Sequence, residues 1–243
     1  MSKSYDNLYI YETPTDGRVL SKSTIKFNQT KFIREAIKTH FVTEKEDYIE
    51  IISNYVLPKY KKGDVLAISE KVIALCQNRV VYKDEINITR LAKFLSRFVH
   101  VTPAGKGIGN PEKMQVVIER AGIIRVIIGA VLAAITRPFG VKGLFYKIVK
   151  NESNQIDGFT NTAFEYYKDK GILAPKKPDE VCEYIKEKLG IDSIIVDAND
   201  LNIEILGMSK NLPLEPESIL KILKDNPAGQ KNEQTPFILI KSK

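Results

Sequence analysis

The sequence has no tryptophan, two histidines and two cysteines. His40 and His100 lie far apart, and neither has a second His or a Cys at the spacing of a zinc site. Cys76 and Cys182 also lack metal-ligand spacing, and both fall in apolar helical patterns, so we expect buried thiols in a reducing cytoplasm. We favour structural roles for the histidines. No Gly-x-Ser-x-Gly segment supports serine-hydrolase chemistry.

The sequence also lacks a long hydrophobic run. Its most apolar stretch, residues 123–135, is too short to cross a bilayer and contains Arg125. We expect a buried helix there, in the core or in an interface. The N-terminus shows no basic-then-apolar signal segment, so the sequence predicts a cytoplasmic protein without a membrane partner.

Charge is abundant and slightly unbalanced. The chain has 37 basic and 30 acidic residues, a net charge of +7, which fits an anionic ligand such as a nucleotide. No block of Lys and Arg with interleaved aromatics is present, which argues against nucleic acid as the partner. The hydrophobic share of 43% is typical of a globular protein.

Helical and strand-like periodicities alternate along the chain, which predicts an α+β or α/β fold with mixed sheets and flanking helices. The predicted strands are residues 65–69, 78–82, 140–149, 194–196, 202–206 and 236–240. The predicted helices are residues 30–38, 44–60, 89–98, 114–119, 125–135, 178–189 and 217–223. We expect an N-terminal extension over residues 1–43, with a hairpin at residues 8–20, and one domain over residues 44–243 without an internal boundary.

Residues 193–204, SIIVDANDLNIE, contain the main candidate site. A buried apolar strand is predicted to end at Asp197, and Asn199 and Asp200 follow. Carboxylate and amide oxygens at a strand end suit Mg²⁺ or Mn²⁺ carrying phosphate. An Asx-rich turn explains the same residues, and the stretch alone slightly favours that turn.

The only glycine-dense loop contains Gly105, Lys106, Gly107 and Gly109. Its backbone N–H groups and its lysine are suited to an anion. It matches neither a Walker A motif nor a Rossmann fingerprint, and a plain flexible loop explains it equally well.

Two further loops carry polar side chains. Asp157, with Asn161 after it, would add a third carboxylate if the fold brings it to Asp197; an Asp-Gly turn is the alternative. Gln230 and Glu233 precede the last predicted strand and could orient the polar head of a ligand, although a surface loop is the simpler interpretation.

Several stretches resemble the coenzyme F-420 glutamate ligases. Residues 63–73 (GDVLAISEKVI) and 77–81 (QNRVV) are similar to the family segment GDVLVISSKIVS…EGRVV. The strand ending at Asp197 resembles the family's strand that ends in a metal-binding aspartate, and Asp157 with Asn161 resembles its earlier aspartate and asparagine. Two family motifs are missing: Ser-Asp-Thr followed by Gly-Arg-Pro-Trp-Arg, and His-Gly-Phe followed by Asn-Ala-Gly-Val-Asp.

The resemblance implies a homodimeric, GTP- and metal-dependent ligase. It would add L-glutamate in γ linkage to F-420-0 or another carboxylate acceptor through an acyl phosphate. In that hypothesis Asp157, Asp197 and Asp200 hold Mg²⁺ or Mn²⁺. The nucleotide and ligand contacts would come from Lys71, Gly105, Lys106, Gly107, Gly109, Asn161, Asn199, Gln230 and Glu233. A non-catalytic nucleotide- or small-molecule-binding module on the same fold is the alternative, because the motif with Arg and Trp is missing.

Overall fold

The computed structural model describes residues 19–27, 30–99, 107–141, 143–149, 156–159, 165–198, 203–229 and 233–242. The predicted hairpin at residues 8–20 lies almost entirely outside these ranges. The chain forms two compact units: unit 1 contains Met1–Cys76 and Lys177–Lys243, and unit 2 contains Gln77–Lys176.

The described strands, in chain order, are β1 (Val19–Phe27), β2 (Thr30–Ile37), β3 (Val65–Ser69), β4 (Val80–Tyr82), β5 (Asp157–Gly158), β6 (Lys170–Ile172), β7 (Ser193–Ala198), β8 (Ile203–Met208) and β9 (Phe237–Ser242). The described helices are α1 (Tyr48–Tyr55), α2 (Glu70–Cys76), α3 (Arg90–Ser96), α4 (Pro111–Ala121), α5 (Ile123–Thr136), α6 (Leu144–Ile148), α7 (Pro178–Leu189) and α8 (Pro216–Leu223). None of the helices in the described ranges has the length and apolar character that a bilayer crossing requires.

Unit 1 is built on a six-stranded mixed sheet with the order β1-β2-β9-β3-β7-β8. Only β3 and β7 are parallel; the other neighbours are antiparallel. Unit 2 contains a three-stranded antiparallel sheet, β4-β6-β5, together with α3, α4, α5 and α6. Mixed and antiparallel sheets with flanking helices confirm the predicted α+β fold.

Both faces of the unit 1 sheet are covered. In β3, Leu66 and Ile68 lie in one apolar cluster with residues of α1, α2 and α7. Val65 and Ala67 lie in a second cluster with residues of α8. A strand that is buried on both faces reads as a continuous apolar run, which is why residues 65–69 were predictable as a strand.

Helix α7 has the bounds that the sequence predicts. Pro178 stands in its first turn with two acidic residues, and Gly190 ends it in the left-handed conformation. The apolar residues Val181, Cys182 and Ile185 are buried. The sequence signals at both ends of α7 agree with the burial of its apolar side, so the helix was predictable from its sequence.

Three structural predictions are wrong. Residues 30–37 form β2 and not a helix, because they pair with β1 from Thr30 to Ile37 and with β9 from Phe32 to Ile37. Residues 140–149 contain α6 and not a strand, since Gly140 and Gly143 adopt left-handed conformations beside helical segments. Residues 125–135 are helical in α5 as predicted, but only Val126 and Gly129 are buried within the chain, so the position in the core is wrong and the position in an interface stays a prediction.

Candidate functional site

Four strand ends meet at one edge of the unit 1 sheet. The parallel strands β3 and β7 run in register with Ser69 opposite Val196, so their carboxyl ends lie together. The start of β9 pairs with the ends of both β2 and β3 through Phe237. We use the name unit 1 edge for the residues at and beyond these strand ends, which are residues 38–40, 70–71, 197–198 and 233–236. Ligands of open sheets commonly bind beyond the carboxyl ends of parallel strands.

Three residues predicted separately from the sequence belong to the unit 1 edge. Lys71 is the second residue of α2, Asp197 is the fifth residue of β7, and Glu233 precedes β9; all three are half-buried. The fold therefore gathers a cationic side chain and two carboxylates at the same edge of one sheet. Asn199, Asp200 and Gln230 lie outside the described residues.

Glu204 is a further carboxylate at this edge. It is the residue directly opposite Asp197 in the antiparallel pair of β7 and β8. Directly opposite side chains lie on the same face of a sheet, with Cβ atoms about 4.5–5.5 Å apart, and like charges in such a pair repel. A cation between them relieves that repulsion. Sequence analysis did not single out Glu204, although a strand–turn–strand register for residues 193–204 would have placed it there.

The donor chemistry of the pair Asp197 and Glu204 fits a hard divalent ion, which prefers carboxylate oxygens. Within the ranges that the structure describes, no group of three or more His, Cys, Asp and Glu residues is arranged to hold a metal. The pair would supply two protein ligands, and Mg²⁺ is usually bound by one or two carboxylates together with substrate phosphates and water.

The loop before β9 is fixed to its neighbours by backbone hydrogen bonds. The Thr39 amide donates to the Gln234 carbonyl at 3.0 Å, and the Ser69 amide donates to the Pro236 carbonyl at 2.9 Å. The Gln234 Oε1 atom is buried and accepts no hydrogen bond from the described residues. A buried acceptor without a donor costs free energy, so this amide is suited to a ligand N–H. Sequence analysis named residues near it, Gln230 and Glu233, but not Gln234.

His40 has a structural role in the same region of unit 1. Its Nδ1 atom lies 2.9 Å from the Tyr55 hydroxyl, and its Nε2 atom lies 2.6 Å from Glu46 Oε2. Burial alone would raise the pKa of the Glu46 carboxyl, but hydrogen bonds from His40 and Thr43 outweigh it and lower that pKa. The network ties the segment after β2 to α1, which agrees with the structural role predicted for His40. His100 lies outside the described residues.

In unit 2, the glycine turn and Asp157 lie close together. Gly107–Gly109 forms a short 3-10 turn that leads into α4. Asn110 caps α4 by accepting from the Glu112 amide at 2.8 Å, and its Nδ2 atom donates to the Phe159 carbonyl at 3.2 Å. The structure thus joins the predicted anion-binding turn to the segment that begins with Asp157. Gly105, Lys106 and Asn161 lie outside the described residues.

The backbone around Asp157 depends on glycine. Gly158 has a φ of +95°, and a Cβ atom at this position would lie 2.0 Å from the Lys170 carbonyl oxygen of the neighbouring strand. Phe159, which follows, also has a positive φ, of 51°. Asp157 is half-buried, and its Oδ1 atom accepts from the Gly158 amide at 2.7 Å. Positive φ at a residue with a side chain is costly and is often found at functional sites.

The two thiols are not suited to nucleophilic chemistry. Burial raises the pKa of Cys182 and of Cys76 to about 12. Cys182 is fully buried in α7 and Cys76 is half-buried at the end of α2. Both are free, as the predicted buried thiols would be.

No curated protein matches the chain. A family model described as F420-0:Gamma-glutamyl ligase matches residues 36–200, well over half of the chain. The matched range includes Lys71, Asp157 and Asp197, whereas Glu233 and Gln234 follow it. This chain belongs to the F420-0:gamma-glutamyl ligase family.

Proposed function

We propose that the protein is a γ-glutamyl ligase that uses GTP and a divalent metal to join L-glutamate to a small-molecule carboxylate acceptor. Membership of the family supports γ-glutamyl ligase activity on a small acceptor and glutamate. The observation that supports the proposal most is the unit 1 edge, where Lys71, Asp197 and Glu233 come together beyond the ends of β3 and β7. The acceptor is F420-0 or another compound with a free carboxylate.

The metal ligands in this proposal are carboxylates. Asp197 and Glu204 would hold Mg²⁺ or Mn²⁺ in unit 1, with Asp200 as a further ligand, and Asp157 is proposed as a metal ligand in unit 2. When bound, the ion supplies positive charge that neutralises the phosphate oxygens during transfer. The number of ions bound per chain tests these assignments.

The nucleotide contacts are assigned by charge. The Lys71 ammonium would neutralise a phosphate, as a lysine point charge does in many nucleotide sites. The backbone N–H groups of the turn Gly107–Gly109 would donate to phosphate oxygens, with Gly105 and Lys106 completing that loop. Lys71 in unit 1 and the glycine turn in unit 2 are each proposed as a phosphate contact.

The reaction proceeds in two displacements. An oxygen of the acceptor carboxylate attacks the γ-phosphorus of GTP, the bond from that phosphorus to the bridging oxygen breaks, and GDP leaves. The acyl phosphate then reacts with the glutamate amine at its carbonyl carbon. A C–N bond forms, the C–O bond to phosphate breaks, and the amine loses a proton. Positioning and charge neutralisation supply most of the catalysis in such phosphoryl transfers.

The loop before β9 would bind glutamate. Gln234 Oε1, buried and without a donor among the described residues, is suited to accept a hydrogen bond from the glutamate amine. The Glu233 carboxylate next to it favours the same positive group. Removing this acceptor should raise KM for glutamate more than KM for GTP, because the nucleotide contacts lie on other residues.

A thermal-shift experiment tests ligand binding first. GTP with Mn²⁺ or Mg²⁺ should raise the melting temperature of the full chain, since a ligand that binds only the native state stabilises it. Asp197→Asn and Asp200→Asn should remove the metal-dependent part of that rise, and Asp157→Asn tests the ligand from unit 2. Asp84→Asn, at an exposed carboxylate of unit 2, is the matched control.

A product assay then tests chemistry. With GTP, Mn²⁺, L-glutamate and F420-0, mass spectrometry should detect acceptor extended by one glutamyl residue, together with GDP and phosphate. No thermal shift with any nucleotide and metal would overturn the nucleotide part of the proposal. A thermal shift without phosphate release, across a panel of carboxylate acceptors, would favour the alternative of a non-catalytic binding module. The missing Gly-Arg-Pro-Trp-Arg motif and the absence of tryptophan are the observations that favour that alternative.

A further inference from the structure

Helix α5 exposes an apolar face that no described part of the chain covers. Only Val126 and Gly129 of its fourteen residues are buried. The exposed apolar side chains of α5 and the turn after it are Ile123, Ile124, Ile127, Ile128, Val131, Leu132, Ile135 and Phe139. Ile124 is 72% exposed and Phe139 is 81% exposed. Such values are unusual for side chains of this size.

The area of this face is large. From their exposed fractions, the eight side chains present on the order of 900 Å² of apolar surface, whereas the largest apolar patch of a typical monomer is roughly 300–600 Å². At helical spacing, the residues from Ile123 to Ile135 cover about half of the helix circumference. A surface of this size and continuity marks a docking face and not scattered exposed residues.

The charge around the face has one sign. From Ala121 to Lys150 the sequence contains five basic residues and no Asp or Glu. Arg125, Arg137 and Lys147 are exposed, and within the described ranges no carboxylate forms an ion pair with them. Lys142 and Lys150 lie outside those ranges. The partner of this face must therefore tolerate positive charge or supply negative charge.

Charge distinguishes between two possible partners. In an isologous contact between two copies, the same patch meets itself, so Arg125, Arg137 and Lys147 of both copies would be concentrated around one interface. Like charges brought together in an interface cost several kcal/mol. An anionic lipid surface instead combines an apolar interior with negative head groups, and each Lys or Arg near it is attracted to the head groups.

The dimensions of α5 fit the surface of a bilayer and not its interior. Fourteen residues of α-helix are about 21 Å long, shorter than the hydrocarbon thickness of about 30 Å. Helices that lie in the plane of the interface bury an apolar face and keep basic residues at the head groups. Phe139, exposed where the chain turns from α5 towards α6, is suited to the interface because aromatic rings are favoured there.

We infer that the apolar face of α5, with Phe139 and the flanking Arg125, Arg137 and Lys147, docks the protein on anionic membrane surfaces. The protein binds the surface without spanning the bilayer. Docking is independent of the ligase proposal, since none of the residues assigned to nucleotide, metal or glutamate lies on α5.

Vesicle flotation with the full chain tests this inference. Wild-type protein should float with phosphatidylcholine vesicles that contain phosphatidylglycerol and much less with phosphatidylcholine alone. Ile124→Gln combined with Ile128→Gln should lower partitioning at least tenfold, because two large apolar groups leave the interface. Arg125→Gln, Arg137→Gln and Lys147→Gln together should lower it about a hundredfold on anionic vesicles. Added salt should weaken binding of the wild type.

Matched controls remove comparable groups elsewhere. Leu57→Gln replaces an exposed apolar residue of unit 1, and Lys62→Gln with Lys168→Gln and Lys224→Gln removes three exposed charges; both variants should float like the wild type. Melting curves of all variants check that folding is intact, and the charge variants test the inference even if the isoleucine variant unfolds.

Sedimentation without vesicles tests the competing assignment, in which the α5 face contacts a second copy of the chain. A wild-type dimer that becomes monomeric in the Ile124 and Ile128 variant, with no flotation on anionic vesicles, would overturn the inference and assign the face to a second copy. Equal flotation of wild type and both α5 variants would overturn it as well. Loss of flotation in both variants, with unchanged sedimentation, would establish lipid docking.

Discussion

Helices α7 and α5 are similar in length and differ in almost everything that surrounds them. α7 has twelve residues, acidic side chains in its first turn, basic ones in its last, and an apolar stripe buried in unit 1. α5 has fourteen residues, one charged side chain and an apolar face left exposed. Mixed charge opposite an apolar stripe indicates a helix between core and water. A helix with an exposed apolar face and only basic residues nearby indicates contact with an apolar, negatively charged surface rather than with the protein core.

The largest expected difference concerns large side chains on the two helices. Ile185→Ala in α7 should lower the free energy of unfolding by about 2–5 kcal/mol, since Ile185 is fully buried and its loss leaves a cavity. Ile124→Ala in α5 should change it by less than about 0.5 kcal/mol, because this side chain is 72% exposed. Urea unfolding of both variants measures the difference. Equal losses would show that the face of α5 is covered in the folded protein.

The next effect comes from the contact that holds α7 on its sheet. A Cβ atom on Gly207 would lie 2.4 Å from the Pro178 carbonyl carbon and 2.6 Å from the Asp179 nitrogen, both in the backbone of the first turn of α7. Gly207→Ala should therefore cost about 2–3 kcal/mol through overpacking.

The matched glycine is Gly190 at the other end of α7. It has a φ of +67° and no atom within 4 Å of a built Cβ, so Gly190→Ala should cost only the left-handed strain, about 1 kcal/mol. Chemical denaturation compares the two. A smaller loss for Gly207→Ala than for Gly190→Ala would show that α7 can move away from the sheet at little cost.

The comparison also applies to charged side chains. The Glu46 carboxylate in unit 1 is hydrogen-bonded, whereas Arg125 of α5 is exposed to solvent. The pKa of Glu46 is lowered in the folded state, so its contribution to stability is present above the unfolded value of about 4.5 and is lost as pH falls through the folded value. Glu46→Gln should cost about 1 kcal/mol at neutral pH.

The pH profile of that variant is the sharper readout. Its stability deficit relative to the wild type should be present well above pH 4.5 and should shrink as the solution is acidified below about pH 4.5. Glu187→Gln, at an exposed carboxylate of α7, should change stability by less than about 0.5 kcal/mol at every pH. A Glu46→Gln deficit that persists unchanged at pH 3 would contradict the assigned role of the carboxylate.

The smallest expected effect is the very slow labelling of the two cysteines in the native protein. With pKa values of about 12, Cys182 and Cys76 should react with a thiol reagent at pH 8 far more slowly in the native protein than in denaturant. Cys76, which is half-buried, should react before Cys182. Rapid native labelling of Cys182 would show that α7 opens often, and the contrast with α5 would then be weaker than the structure indicates.

The sequence predicted those elements whose local signals agree with their surroundings. β3 and β7 are buried on both faces, so their apolar runs marked them clearly, and α7 has a proline, acidic residues and a glycine at the positions that begin and end helices. β2 was predicted as a helix because its pairing with β9 is long-range and its hairpin with β1 was not recognised. The exposure of α5 could not be predicted, because periodicity shows which face is apolar and not what covers it.

Individual residues of the candidate site were predictable from the sequence, but their common location at one edge of the sheet was not. Residue type identified Lys71, Asp197 and Glu233, yet their presence at one edge follows from the strand order β2-β9-β3-β7, which no local pattern contains. Glu204 depends on the β7–β8 register, and Gln234 is notable only because its buried amide oxygen accepts no hydrogen bond from the described residues.

The most direct test of the proposed ligase site is a titration of the full chain with Mn²⁺ in the presence of GTP, followed by electron paramagnetic resonance of the free ion. The account predicts saturable binding to the wild type, binding to Asp197→Asn that is weaker by about tenfold or more, and unchanged binding to Asp84→Asn. Mn²⁺ affinity that is the same in Asp197→Asn as in the wild type, or no binding with GTP present, would contradict it.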